Sequence, residues 1–233
     1  MIEIGGLEKS TLVDYPGRVA ATVFLSGCNF RCPFCYSPEL VLPEKIKDQP
    51  RISKDEFFNF LKERQGLLQG VVICGGEPTL NKDLPEFIDA IKKLGFAVKL
   101  DTNGSNPSVL KDLLKRELVD YMAMDIKAPK EKYSELIGRE VDIEKIEKSI
   151  GILKEGRIGY EFRVTVVPTL HSKEDVLKIA KWLAGAKKIF LQNFRPEKTL
   201  DPRFEKIRPY SKEFFLELKK EISPFFEVCE LRY

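Results

Sequence analysis

Short apolar runs alternate along the chain with longer segments in which apolar residues recur every three to four positions. The short runs favour buried strands, and the longer period favours amphipathic helices. The pattern predicts six strands, at 19–27, 70–76, 97–104, 121–127, 158–168 and 188–196. Because helical segments separate them, we expect successive right-handed βαβ units and a parallel sheet, either open or curled into a partial barrel.

Residues typical of helix ends mark the boundaries of the helical segments. Ser53, followed three positions later by Glu56, predicts a capping box at the start of one helix. Pro107 is placed to open a second helix, and Gly95 and Gly185 are placed to end two others. These signals put helices between the strands, as a βαβ arrangement requires.

Polar and small residues gather at the carboxyl ends of the predicted strands. These residues are Cys28, Gly75, Gly76, Glu77, Asp101, Thr102, Asn103, Asp125, Lys127, Arg163 and Gln192. Barrels and open α/β sheets bind their ligands at this edge. Turn and capping roles account for Thr102 and Asn103 taken singly, but not for unusual residues at all six strand ends. The sequence therefore predicts a ligand site along the carboxyl edge of the sheet.

The bulk composition narrows the class of protein. Of 233 residues, 43% are hydrophobic and 32% are charged, which is typical of a globular protein rather than a disordered or membrane-embedded chain. The net charge of +3 provides no global field for nucleic-acid binding. Because 1–10 lacks the basic and apolar regions of a signal peptide, we expect a cytoplasmic protein with reduced thiols and no membrane partner.

Three of the five cysteines, Cys28, Cys32 and Cys35, fall within eight residues directly after the first predicted strand. One interpretation is a zinc site in a non-enzymatic protein, completed by another cysteine or by the single histidine. The other is a [4Fe–4S] cluster, in which three thiolates leave one iron open for a ligand. The candidates for a fourth zinc ligand are Cys74, Cys229 and His171.

Those three candidates also have simpler explanations. Cys74 lies in a predicted strand and Cys229 in a C-terminal β-like run, so we expect both to be small buried core residues. His171 precedes a predicted helix, and we expect it to be a loop or capping residue.

The cysteine spacing, with the aromatic Phe34 directly before the third cysteine, resembles that of the radical S-adenosylmethionine (SAM) enzymes. The resemblance extends to CGGEP at 74–78, DTNG at 101–104 and MDIK at 124–127. It implies a [4Fe–4S] cluster on the three clustered cysteines, with SAM bound at the open iron.

The resemblance also implies a fold and its boundaries. One radical SAM domain of α/β class is expected to span 1–233. It would consist of an N-terminal β-hairpin at 1–18, a partial (β/α)6 TIM-like barrel at 19–196 and a C-terminal helix–strand extension at 197–233.

Roles in SAM binding carry over from the family to matching positions. The resemblance implies that Glu77 accepts hydrogen bonds from the SAM ammonium group, and that Gly75 and Gly76 let backbone approach the ligand closely. It implies that Lys127 or Arg163 pairs with the SAM carboxylate.

Further positions receive roles from the same resemblance. The backbone at Phe34 would face the adenine, and Tyr36 and Gln192 stand near SAM where histidine is common. The ribose hydroxyls are assigned to Asp101, Asn103 or Asp125. A monovalent cation, which activases of this kind can hold, is assigned to Asp101, Thr102 and Asp125.

The N-terminal half narrows the resemblance to the glycyl radical enzyme activases. Residues 14–17 match the D-x-P-G turn of that group. The segments CNFRCPFCYSPEL at 28–40 and LQNFRP at 191–196 are similar to the activating proteins of anaerobic ribonucleoside-triphosphate reductase.

The resemblance implies an activity and its partners. One electron enters the cluster, SAM is cleaved, and the resulting radical abstracts a hydrogen atom from a glycine of a partner enzyme. The implied partners are a glycyl radical enzyme and a low-potential electron donor such as flavodoxin or ferredoxin. Two alternatives stay open: an activase of a pyruvate formate-lyase-type enzyme, and a radical SAM enzyme acting on a small molecule or nucleic acid, such as a deazapurine synthase.

Overall fold

A single curved sheet forms the frame of the molecule. The computed structural model describes residues 2–232, and in that range eight strands lie side by side in sequence order. The strands are β1 (Ile4–Thr11), β2 (Ala20–Leu25), β3 (Gly70–Gly75), β4 (Ala97–Thr102), β5 (Tyr121–Asp125), β6 (Gly159–Val166), β7 (Lys188–Asn193) and β8 (Val228–Arg232). Strand β1 is antiparallel to β2, and every later neighbouring pair is parallel.

This arrangement confirms the predicted βαβ pattern, since β2 to β7 fall inside the six predicted segments. It also shows that the C-terminal β-like run completes the sheet, because β8 pairs with β7 along its length. Among the described residues β1 and β8 do not pair with each other, so the sheet stays open between these two edges.

Helices follow most of the parallel strands. They are α1 (Pro38–Val41), α2 (Pro43–Ile46), α3 (Lys54–Glu63), α4 (Leu84–Lys93), α5 (Pro107–Lys115), α6 (Tyr133–Ile137), α7 (Ile143–Lys154), α8 (Lys173–Trp182) and α9 (Lys212–Ile222). None of the helices within residues 2–232 has the length and apolar character needed to cross a membrane.

Pro107, Gly95 and Gly185 stand at helix ends as predicted, whereas the capping box expected at Ser53 forms only in part, without the return bond from the Glu56 side chain. The side chain of Ser53 accepts a hydrogen bond from the Glu56 amide at 3.1 Å, and this capping interaction starts α3. Pro107 is the first residue of α5. Gly95 and Gly185 have φ angles of 90° and 82° just after α4 and α8, a conformation that glycine adopts without strain.

Alternate residues of each strand face different surroundings. On β4, Val98 and Leu100 belong to the apolar core shared with the helices, whereas Asp101 faces the inside of the curved sheet, where it lines a cavity. Barrel interiors are usually filled with apolar side chains, but this one is polar and hollow near the carboxyl ends of the strands.

The opposite, amino-terminal end of the interior is closed by an apolar cluster. Tyr15, Ala20, Val72 and Tyr121 form this cluster, and the rings of Tyr15 and Tyr121 lie 6.2 Å apart. Tyr15 belongs to the turn between β1 and β2, so the N-terminal hairpin, which runs from Ile4 to Leu25 rather than over the expected 1–18, supplies part of the floor of the interior.

Candidate active site

A cavity of about 980 Å³ occupies the carboxyl-terminal end of the interior. Most of the residues predicted from the strand ends line it together, as the parallel sheet requires. These are Cys28, Gly75, Gly76, Asp101, Thr102, Asn103, Asp125, Lys127, Arg163 and Gln192. Residues from the two edges of the sheet border the same cavity: Val13, Asp14 and Pro16 from the β1–β2 turn, and Glu230 and Arg232 from β8.

The three clustered cysteines lie on one loop, residues 27–37, between β2 and α1. All three thiols are free and all three residues line the cavity. The loop is held in place by backbone hydrogen bonds. Arg31 donates to the Ile137 carbonyl at 2.7 Å, and the amides of Leu200 and Asp201 donate to the carbonyls of Cys35 and Pro33, each at 2.9 Å.

The chemistry of this cysteine loop fits a cluster better than a single metal ion. Within residues 2–232 no three His, Cys, Asp or Glu side chains lie close enough together to hold one metal ion. A [4Fe–4S] cluster spreads its three thiolates over three different irons, so it does not need them to converge on a point. The zinc alternative therefore has no ligand set in this arrangement.

Burial controls the protonation of the thiols. Burial raises the pKa of Cys28 to about 11 and that of Cys32 to about 12. As free side chains they are therefore protonated at neutral pH, and iron binding has to displace their protons.

Gly75 packs closely on the end of β2 and Gly76 on the start of the cysteine loop, while the close approach of both to a ligand stays a prediction. Gly75 has a φ of 114°, and a Cβ atom there would lie 2.4 Å from the backbone of Leu25. A Cβ on Gly76 would lie 2.0 Å from the carbonyl oxygen of Gly27. The amide of Glu77 donates to that same oxygen at 2.7 Å. The glycine pair thus lets the end of β3 pack directly on the start of the cysteine loop.

Glu77 lies at the end of β3, next to the cavity wall. Its side chain is 1% exposed, and it is absent from the described residues that line the cavity. One carboxylate oxygen accepts hydrogen bonds from the amide and hydroxyl of Thr79 and from the Thr102 hydroxyl, and the other accepts from the Asn103 amide at 2.6 Å. Burial nevertheless raises the pKa of Glu77. In this structure the carboxylate joins the ends of β3 and β4, and its contact with SAM stays a prediction.

Asn103 connects the end of β4 to the cysteine loop. Its side-chain amide donates to the Asn29 side chain at 2.9 Å, and the Asn29 amide donates to the Ser105 hydroxyl at 3.0 Å. Asn103 still lines the cavity, so its predicted contact with a ribose hydroxyl remains compatible with this arrangement. Asn29 was not among the residues predicted for the site, because one asparagine between two cysteines carries no distinctive signal.

Five charged side chains form a chain of ion pairs across the strand ends. Lys99 pairs with Asp101, and Arg163 donates to Asp101 at 2.7 Å and to Asp125 at 2.8 Å. Lys127 donates to the other oxygen of Asp125 at 3.1 Å. Burial opposes ionisation of Asp125, but Arg163 and Lys127 outweigh it and hold its pKa below the usual range. Lys99, which is 1% exposed, is a member that the sequence analysis missed.

The three residues predicted to bind a monovalent cation already have protein partners. Arg163 stands between Asp101 and Asp125, and the Thr102 hydroxyl donates to Glu77. The cation stays a prediction.

His171 is buried and holds the strand ends next to the cysteine loop. Its Nδ1 accepts from the Val167 amide at 3.1 Å, so the proton lies on Nε2, which donates to the Lys127 carbonyl at 2.8 Å. Its ring packs edge-on against Phe34, with ring centroids 6.3 Å apart. Both ring nitrogens are occupied, which excludes His171 as a zinc ligand here and agrees with the loop role expected for it.

The remaining cysteines differ from each other. Cys229 is buried in the core, as expected. Cys74 was expected there too, but it faces the inside of the sheet and lines the cavity. The error has a simple cause, because a cysteine in an apolar run gives no indication of which face of the strand it occupies.

Two further residues predicted near the cofactor lie at the rim of the cavity. The Tyr36 ring stacks on Phe194 with centroids 6.1 Å apart, and its hydroxyl accepts from the Arg195 amide at 2.8 Å. Gln192 lines the cavity from the end of β7. Their contacts with SAM remain predictions.

Comparison with known proteins gives this geometry a context. The model of the radical SAM superfamily matches residues 22–183. A protein of Methanocaldococcus jannaschii described as a glycyl-radical enzyme activating enzyme is 35% identical over 215 residues, covering 90% of this chain and 87% of that protein. The pyruvate formate-lyase-activating enzyme of Clostridium pasteurianum is 28% identical over 221 residues, covering 89% of this chain and 87% of that enzyme.

The chain is also similar to an enzyme with a different named activity and to solved structures. The 7-carboxy-7-deazaguanine synthase of Thermococcus kodakarensis is 29% identical over 216 residues, covering 83% of this chain and 80% of that enzyme. The crystal structure of Streptococcus suis SuiB superposes with a TM-score of 0.65 at 17% identity, covering 88% of this chain and 47% of SuiB. At that identity the likeness concerns the fold alone, and it confirms the expected partial barrel.

Proposed function

The chain belongs to the radical SAM superfamily, and from this premise we propose that it is a glycyl radical enzyme activase. It removes a hydrogen atom from a glycine of a partner enzyme and leaves a glycyl radical there. The observation that carries the proposal is the cysteine loop, which stands over a cavity of about 980 Å³ bordered by both edges of an open sheet. An opening of this kind admits a segment of another protein.

The residues of this chain fit the family's two cofactors, a [4Fe–4S] cluster and SAM. Cys28, Cys32 and Cys35 would hold the cluster, and the glycine pair at the end of β3 keeps their loop against the sheet. When bound, the reduced cluster and SAM supply a 5′-deoxyadenosyl radical able to break a carbon–hydrogen bond. Glycine is a suitable target because the flanking amide groups stabilise a radical on its Cα.

Of the two candidates for the SAM carboxylate, we favour Lys127 over Arg163. The Nε and Nη1 groups of Arg163 already donate to Asp125 and Asp101. The ammonium group of Lys127 has one side-chain partner, Asp125, among the described residues, and it lies near Cys32 and Cys35. Lys127 therefore has donors left for a ligand carboxylate beside the cysteine loop.

The partner that we propose is anaerobic ribonucleoside-triphosphate reductase, on the resemblance of 28–40 and 191–196 to its activating proteins. A low-potential carrier such as flavodoxin or ferredoxin would supply the electron. The M. jannaschii relative supports the broader activase assignment, since it is similar over 90% of this chain.

The test is anaerobic reconstitution with iron and sulfide, followed by incubation with SAM, a reductant and the candidate reductase. We expect 5′-deoxyadenosine together with a glycyl doublet in electron paramagnetic resonance. Cys32→Ala should abolish both signals, whereas Cys229→Ala, a matched change at a buried cysteine outside the cavity, should keep them. Production of 5′-deoxyadenosine without a doublet on any candidate partner would contradict the activase assignment.

A second candidate function is radical chemistry on a small molecule. The similarity to 7-carboxy-7-deazaguanine synthase, over 83% of this chain, is the observation that favours it. In that case 5′-deoxyadenosine formation should rise with a small heterocyclic substrate in the absence of any partner protein.

A further inference from the structure

Arg232 forms an unusual feature of the cavity wall. Arg232 is the last residue of β8, and its guanidinium lies 3.9 Å above the centre of the Phe190 ring. Its Nη2 group donates to Glu161 at 3.2 Å. The ring and the carboxylate together fix the plane of the guanidinium, because one supports its face and the other fixes its edge.

The anchor of Arg232 is itself firmly placed. Glu161 is fully buried, and its second oxygen accepts a hydrogen bond from the Tyr121 hydroxyl at 3.0 Å. Tyr121 belongs to the apolar cluster that closes the lower end of the interior. The position of Arg232 is therefore set by groups that reach down to the floor of the barrel.

The guanidinium keeps donors for a ligand. Among residues 2–232, Nε and Nη1 of Arg232 have no hydrogen-bond partner, and Nη2 bonds to Glu161 alone. The second N–H of Nη2 and the N–H of its free neighbour therefore form an open edge with two parallel donors, and 34% of the side chain is exposed where it lines the cavity. Arg163 differs, because its Nε and Nη1 are both taken by aspartates and its side chain is 13% exposed. An ion pair with Glu161 that served only the fold would not require a guanidinium whose other donors face the cavity.

We propose that Arg232 anchors a carboxylate-binding subsite at the β8 edge of the cavity. A planar carboxylate matches the two parallel donors of a guanidinium edge. Glu161, which is buried behind Arg232, and Glu230, which lines the cavity from β8, disfavour a doubly charged phosphate at this position. The ligand class is therefore a single carboxylate.

The carboxylate belongs to the protein segment that carries the substrate glycine, and this assignment rests on the proposed activase function. A carboxylate can come from an aspartate or glutamate side chain near the glycine or from the C-terminus of the segment. Both sources present the same planar anion to Arg232, so the experiment has to separate them.

Three peptides provide the probes: acetyl-Ala-Ser-Gly-Ala-Glu-amide, the same peptide with Gln in place of Glu, and acetyl-Ala-Ser-Gly-Ala-Ala with a free C-terminus. Their binding to the cluster-loaded protein with SAM, without a reductant, is measured by calorimetry. We expect at least one carboxylate peptide to bind about tenfold more tightly than the neutral peptide. Preference for the first indicates a side-chain carboxylate, and preference for the third a terminal one.

The double variant Arg232→Gln/Glu161→Gln removes the buried ion pair without leaving a lone charge, so it separates ligand binding from folding. We expect its preference for carboxylate peptides to fall below about twofold while its melting temperature and iron content stay close to wild type. Arg157→Gln removes the same charge from an exposed site and should keep the full preference. Equal binding of all three peptides to the wild type, no binding of any, or an unchanged preference in the double variant would overturn the proposal.

This experiment is independent of radical chemistry. A wild-type protein that discriminates between the peptides but never yields a glycyl doublet would retain the subsite and lose the activase function. A protein that yields a glycyl doublet but binds all three peptides equally would keep the activase function and rule out the subsite.

Discussion

The contact between Gly76 and the cysteine loop leads to a sharp prediction for Gly76→Ala. A Cβ atom at this position would lie 2.0 Å from the Gly27 carbonyl oxygen and 2.5 Å from its carbonyl carbon. These are backbone atoms and cannot rotate away as the end of a side chain would. Ordinary contact begins at 3.4 Å, so the start of the loop has to move by about 1.4 Å.

That movement has a cost that can be worked out. Overpacking of this kind costs about 1–3 kcal/mol. Loss of the hydrogen bond from the Glu77 amide to the Gly27 carbonyl adds about 1 kcal/mol. In a protein of 233 residues the sum should lower the melting temperature by roughly 5–15 °C. Since Cys28 directly follows Gly27, we also expect iron incorporation to fall.

Calorimetry on the anaerobic metal-free protein measures the first effect, and iron and sulfide per chain after reconstitution measure the second. Gly151→Ala is the matched control, because Gly151 lies inside α7 with open space around its Cα. That change should stabilise the helix by about 0.5–1 kcal/mol. If Gly76→Ala melted within about 2 °C of wild type and bound full iron, the close packing of β3 on the loop would be refuted.

Two further predictions concern buried titratable groups. Burial lowers the pKa of His171, so its contribution to folding is complete above the unfolded value of about 6.5 and is lost as the pH falls through the folded value. Urea midpoints should therefore decrease from pH 8 to 5.5 in the wild type and decrease less in His171→Asn. An equal decrease with pH in the two proteins would argue against a neutral imidazole with both nitrogens hydrogen-bonded. Glu77→Gln should cost about 1–3 kcal/mol, because every group bonded to the carboxylate is a donor and the new amide adds donors against them. Chemical denaturation compares this variant with Glu86→Gln on the surface of α4, and equal midpoints would show that the hydrogen bonds to the Glu77 carboxylate do not stabilise the fold.

Much of the fold could be predicted from local pattern. Apolar runs, Ser53, Pro107 and Gly95 act within a few residues of themselves, so the strands and helix ends that they predict agree with the structure. The edge of the sheet at which the polar residues gather follows from parallel topology, and it too was predictable. What local pattern leaves open is whether the sheet closes, since that depends on contacts between β1 and β8, which lie far apart in sequence.

The contacts within the site depend on the direction of individual side chains, which the sequence pattern does not predict. Glu77 is expected to face SAM, and in the structure its carboxylate accepts from Thr79, Thr102 and Asn103, which bind the two oxygens unequally: three bonds reach one oxygen and one reaches the other. The CGGEP motif indicates that a carboxylate is needed at the end of β3. It does not indicate whether the carboxylate binds the ligand or holds neighbouring strand ends together. Lys99 was missed although it stands two positions before Asp101, where strand alternation places it on the same face. A lysine within an apolar strand was the available signal.

The apolar floor formed by Tyr15 and Tyr121 has a consequence for the kinetics of a catalytic cycle. Because the interior is closed at that end, SAM, its cleavage products and the protein segment of the proposed activase would all use the open side at the carboxyl ends of the strands, which both edges of the sheet border. A segment seated between the β1–β2 turn and β8 blocks that entrance, so SAM has to bind before the partner and its products have to leave after it. We therefore expect compulsory-order kinetics, in which each docking event consumes one SAM molecule and the partner must dissociate before the next turnover.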